Sequence, residues 1–76
     1  MTATDRDFAR LVAAGRDLLD VSPIVSLQHW AAAAELRVDA VKTTYLADTE
    51  RRAALEGAIG ARCVDAEGGC FRIASR

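Results

Sequence analysis

The amino-acid sequence predicts an α+β fold, mostly helical, with three or four helices and a C-terminal β-hairpin in one domain spanning 1–76. Three observations carry this reading. Apolar residues recur at three- and four-residue spacing over most of the chain, as they do on one face of a helix. The single proline, Pro23, falls between two such segments. The last sixteen residues instead alternate about a Gly68-Gly69 pair, the pattern of two strands joined by a tight turn.

The first helix is expected over 4–20. Thr4 followed by Asp7 gives a capping-box-like start. Phe8, Leu11, Val12, Leu18 and Leu19 share one face, with the small Gly15 in the intermediate turn. Ser22-Pro23 ends the helix, because the residue before a proline is driven out of the α region. Ile24-Val25 follows as a short strand. Ser26 is a suitable N-cap for a second helix carrying Leu27, Trp30, Ala31 and Ala34 on one side. A third segment begins near Val38 and holds Val41, Tyr45 and Leu46, so that 26–47 forms two helices joined by a turn. Asp48 or Thr49 can cap a fourth helix, 49–60, which holds Leu55 and Ile59. A break near Asp48 separates it from the third.

The hairpin is expected over 61–74. A two-residue loop places Glu67 opposite Cys70, Ala66 opposite Phe71, Asp65 opposite Arg72 and Val64 opposite Ile73. Val64, Ala66, Phe71 and Ile73 then face the helices, and Asp65 pairs with Arg72 on the other side. In this register Cys63 and Cys70 point outward without being opposite one another, so no disulfide is expected.

Composition narrows the function classes. Apolar residues are 51% of the chain, yet 16 are alanine and two are cysteine, which leaves 21 larger side chains for a core. A chain this short holds only about 3–5 kcal/mol of stability alone. Self-association as a homodimer, or docking on a larger partner protein, is therefore expected, with helix one and the fourth segment as contributors. Ten Lys+Arg against eleven Asp+Glu give a net charge of −1, which excludes a histone-like peptide and a disordered acidic tail. No apolar run reaches the roughly 18–20 residues of a membrane span, and the N-terminus lacks the apolar stretch of a signal peptide. A cytoplasmic protein without membrane contact is expected. There is no Ser/His/Asp set, no phosphate loop and no metal-ligand spacing, so neither enzymatic activity nor a metal or cofactor is expected.

Several stretches carry a resemblance. Ser22-Pro-Ile-Val-Ser-Leu27 is similar to the Gly-Pro-Val-Ser-Leu entry into the helix-turn-helix of bacterial winged-helix regulators. Trp30, Ala31, Ala34, Leu36 and Val41 fall where that motif packs its two helices. Leu55-Glu-Gly-Ala-Ile59 resembles the lead into the wing, and Gly68-Gly-Cys-Phe-Arg-Ile73 the returning wing strand. The resemblance covers roughly 8–75. Two positions depart. Glu35 stands where glycine makes the turn, which favours a rebuilt turn because a side chain is strained at positive φ. Thr44 stands where an apolar residue belongs, and adjacent Tyr45 can serve instead.

The resemblance implies a winged helix-turn-helix domain of a small transcriptional regulator that binds double-stranded DNA. Its third segment would be the recognition helix, presenting Arg37, Asp39, Ala40, Lys42 and Thr43, and its wing tip would be Gly68 and Gly69. Arg and Lys suit phosphates and guanine edges, whereas Asp39 repels phosphate unless it reads a cytosine amino group. The alternative is a winged-helix module for protein–protein contact, or a small subunit of a larger complex with no DNA binding of its own. Trp30 is expected in the core, His29 in solvent, and Arg51-Arg52 as solvated surface.

Overall fold

A computed structural model describes residues 2–66 and 70–75, and the side chains of these except 65, 66 and 70. It is mostly helical, with a small antiparallel sheet of three strands in the order β1 (Ile24–Ser26), β3 (Cys70–Ser75) and β2 (Ala61–Ala66). The first helix, α1, spans Ala3–Val21 and starts earlier than the sequence suggests. Thr2, not Thr4, is its N-cap. The Thr2 Oγ1 accepts from the Asp5 N–H at 3.1 Å, and the Asp5 carboxylate accepts from the Thr2 N–H at 3.4 Å. Both Thr2/Asp5 and Thr4/Asp7 have the spacing of a capping box, and the earlier pair lengthens the helix. Ser22 ends α1 in an extended conformation before Pro23.

Strand β1, Ile24–Ser26, leads directly into α2, Leu27–Ala33. Ser26 caps α2 by accepting from the His29 N–H at 3.2 Å. The turn that follows is not rebuilt. Glu35 adopts φ 61°, the left-handed conformation that glycine normally supplies. The Leu36 N–H reaches the Ala31 carbonyl at 2.9 Å and the Glu35 N–H the Ala32 carbonyl at 3.0 Å. These two bonds satisfy the end of α2 and hold Glu35 in place, so the geometry survives its strain.

Helix α3, Val38–Val41, runs on as a π-helical turn over Lys42–Leu46, closed by the Ala47 N–H on the Lys42 carbonyl at 2.8 Å. The wider turn brings Tyr45 and Leu46 into the core together. Tyr45 thus fills the position where Thr44 is polar. Asp48 breaks the chain as expected and caps α4, Thr49–Ile59, by accepting from the Glu50 and Arg51 N–H groups at 3.0 and 3.1 Å. Gly60, at φ 75°, ends α4 and turns the chain into β2.

Strands β2, Ala61–Ala66, and β3, Cys70–Ser75, pair in a register one residue away from the expected one. Cys63 lies opposite Ile73, Val64 opposite Arg72, Asp65 opposite Phe71 and Ala66 opposite Cys70. The connection therefore contains three residues, 67–69, and the Gly68-Gly69 turn lies outside the described residues. A shift of one residue exchanges the faces of β2. Ala61 and Cys63 are buried, and Val64 is outside at 36% exposure. The expected Asp65–Arg72 pairing and the outward Cys63 are both overturned.

The core packs α1, α2, α3 and α4 over one face of the sheet. Trp30, Leu11, Leu55, Ile73 and Val41 are its most enclosed side chains. Gly15 sits where α1 meets α4 and Trp30, and a Cβ there would come within 2.9 Å of Ile59 Cδ1.

Candidate functional site

The outer side of α3 and the adjoining strands form the candidate site. Arg37 is the N-cap residue of α3, exposed and extended at φ −78°, ψ 140°, and its side chain makes no capping bond. Asp39 is exposed in the first turn. Thr43 is exposed too, and its hydroxyl donates to the Asp39 carbonyl at 2.9 Å, so the proton points back along the helix. Val41 and Tyr45 are buried and Val38 is half-buried, which leaves Arg37, Asp39, Ala40 and Thr43 on the solvent side. Tyr45 is anchored by its hydroxyl, which donates to the Thr4 carbonyl at 2.8 Å and ties the π turn to the start of α1. Burial, with Asp7 nearby, raises its pKa above the ordinary 10.0.

Lys42 differs from its neighbours. It is half-buried and borders a cleft of about 210 Å³ formed with Ser26, Leu27, Gln28, Val38 and Phe71. The cleft separates the first turns of α2 and α3 from β3. Gly68 and Gly69, the remaining site residues, lie outside the described residues.

The two arginines read as solvated surface are engaged with the protein. Arg51 donates to the Thr44 carbonyl at 3.1 Å, bracing the break between α3 and α4. Arg52 donates to the Cys63 carbonyl, and its guanidinium carbon lies 5.3 Å from the centroid of the Phe71 ring. One turn later Glu56 accepts from the Cys63 N–H at 3.0 Å. Burial, with the Glu56 carboxylate beside it, pushes the Cys63 thiol up to about 11. The thiol is therefore protonated and inert at neutral pH, and it forms no disulfide.

On the outer face of the sheet the sequence reading placed Arg72 but missed Arg62. The pairing sets Ile24, Ala74 and Arg62 in one row and Ser26, Arg72 and Val64 in the next. Arg62 and Arg72 are exposed on this face, with Ile24 and Val64 as apolar neighbours. The signal was the strand Ile24–Ser26, whose pairing with β3 fixes which side of β3 meets water.

Trp30 and His29 stand as expected, the first buried at 1% exposure and the second in solvent. Among the described residues, no group of His, Cys, Asp and Glu is placed to hold a metal ion, and no helix is long and apolar enough to cross a membrane. No protein-family model, curated protein or solved structure matches the chain.

Proposed function

We propose that the chain is a winged-helix DNA-binding module of a small transcriptional regulator, with α2, the Glu35 turn and α3 as its helix-turn-helix and the β2–β3 hairpin as its wing. The observation that carries the reading is the division of α3. Along α3, its N-cap and the π turn, Val41 and Tyr45 are buried while Arg37, Asp39 and Thr43 are exposed, which suits a helix lying in a major groove. The element order and the sheet order β1–β3–β2 are compatible with that architecture. In this reading Arg37 and Lys42 contact phosphates or guanine edges, and Arg62 and Arg72 add charge from the sheet. Asp39 accepts from a cytosine amino group.

Titration of the chain onto random duplex DNA across a salt series tests this directly. Lys42→Ala should weaken binding to every sequence and flatten the salt slope by about one unit, the loss of one phosphate contact. Asp39→Ala should strengthen nonspecific binding by removing a repulsion. No binding at low salt, with the fold intact by circular dichroism, overturns the proposal.

A second reading is a module for protein–protein contact. The exposed Asp39 on α3 and the engagement of Arg51 and Arg52 within the protein favour it, since both reduce the positive charge offered to DNA. Lys42→Glu would then disturb assembly with a partner, and DNA affinity would be absent throughout.

A further inference from the structure

The solvent-facing line of α1 has its charges reversed for a lone helix. Arg6, Arg10, Ala13, Asp17 and Asp20 follow one another in steps of four and three residues, and all are exposed. They therefore form one stripe along the helix. The helix dipole favours acidic groups near the N-terminus and basic groups near the C-terminus. This stripe has the opposite order. It also sets Arg6 one turn from Arg10 and Asp17 one turn from Asp20, where like charges repel. Asp5, Asp7 and Arg16, which suit the dipole, lie off the stripe.

The charges are antisymmetric about Ala13, basic before it and acidic after it. A two-fold axis beside Ala13 brings Asp20 of a second copy to Arg6 and Asp17 of that copy to Arg10, and symmetry forms the same pairs again. The two dipoles then run antiparallel, and each charge that is misplaced in the monomer meets its opposite. Ala13 and the exposed Ala9 let the two backbones approach. Val21, 84% exposed at the end of α1, falls beside Ala3 of the second copy. Arg10, Ala13 and Asp17 also border an open groove of about 400 Å³ whose other side is formed by the small Ala33 and Ala34 with Glu35 at its edge. The flank of the stripe is thus clear for a second helix.

We propose that the chain forms a two-fold homodimer through antiparallel α1–α1 packing, held by the pairs Arg6–Asp20 and Arg10–Asp17. Native mass measurement and sedimentation of the full chain at low salt should give about twice 8.1 kDa. The dimer should dissociate toward about 0.5 M salt, where charges are screened within a few ångströms. The variants R6D/R10D and D17R/D20R should each be monomeric, and mixing them in equal amounts should restore a dimer containing one of each. In each variant the two replaced charges suit the helix dipole, and circular dichroism with urea unfolding checks that the variant is folded. Ala13→Arg, which blocks the crossing point and leaves the paired charges in place, should also give a monomer. A monomeric parent at low salt overturns the proposal. So does a dimer indifferent to either charge reversal, or a mixture of the two variants that fails to pair.

Discussion

Trp30 donates its indole N–H to the Leu11 main-chain carbonyl at 2.8 Å, joining α2 to the interior of α1 at a buried point. The approach depends on Gly15, because a Cβ there would stand 3.2 Å from Trp30 Nε1. The largest side chain of the core thus has its polar atom satisfied by a carbonyl that a bulkier neighbour would crowd.

Gly15→Ala should therefore destabilise the domain, although alanine is the better helix former. Overpacking against Ile59 and Trp30 outweighs the gain in helix propensity, for a net loss of about 1–2 kcal/mol. Urea unfolding of the two proteins measures it, and a gain in stability would mean that the crossing is looser than the distances indicate.

Glu35 holds φ 61° between two main-chain hydrogen bonds. Glu35→Gly should stabilise the fold by about 0.5–1 kcal/mol, the strain relieved less the added freedom of the unfolded chain. Glu35→Ala keeps the strain and should give no such gain. The urea midpoints of the three proteins rank them.

The thiol of Cys63 is raised from its ordinary 9.0 to about 11 in the folded chain. Below pH 9 the thiol is protonated whether folded or unfolded, and its contribution to stability is complete. Between 9 and 11 the unfolded chain ionises first, so stability falls as pH rises. Tyr45, raised above its ordinary 10.0 chiefly by burial, acts in the same direction as pH rises past that value. In a Cys70→Ala background, alkylation at pH 8 should be slow in buffer and fast in denaturant. Rapid native alkylation would contradict the burial of Cys63.

The hairpin register is open to a direct test. Val64→Lys should change stability by no more than about 0.5 kcal/mol, because Val64 is outside. Cys63→Lys should cost about 3 kcal/mol or more, because it forces a long charged side chain into the packed site of a buried thiol. The alternative register, with Val64 inside, requires the reverse order.

Most helices were legible because their apolar spacing and stop signals agree. Ser26 and Asp48 are good caps by side-chain chemistry alone, and Pro23 leaves little choice about where α1 ends. The register was not legible for a physical reason. Strand β2 alternates weakly, with Ala61 and Cys63 on one side and Arg62 and Val64 on the other, so neither face of the strand is decisively apolar. What favours the observed pairing is tertiary. Arg52 and Glu56 on α4 reach the main chain of Cys63, and a strand read by itself contains no trace of them. The π turn escaped notice because Val41, Tyr45 and Leu46 also fit an ordinary helical stripe. On the candidate interface, Arg37, Asp39 and Thr43 were found by the same periodicity that places Val41 inside. Arg72 was placed outward by the alternation of β3, whereas Arg62 required the register of β2.

The side chains at the two margins of the sheet have a consequence for its growth. On β3 the Ser75 N–H reaches the Pro23 carbonyl at 2.9 Å, so the Ile24 carbonyl of β1 turns outward, where the Ser22 hydroxyl donates to it at 2.8 Å. At the opposite margin, Arg52 and Glu56 occupy both main-chain groups of Cys63. An incoming strand would find those rungs already taken, by a hydroxyl at the β1 margin and by two charged side chains at the β2 margin. Each margin of the sheet is thus partly capped against a fourth strand.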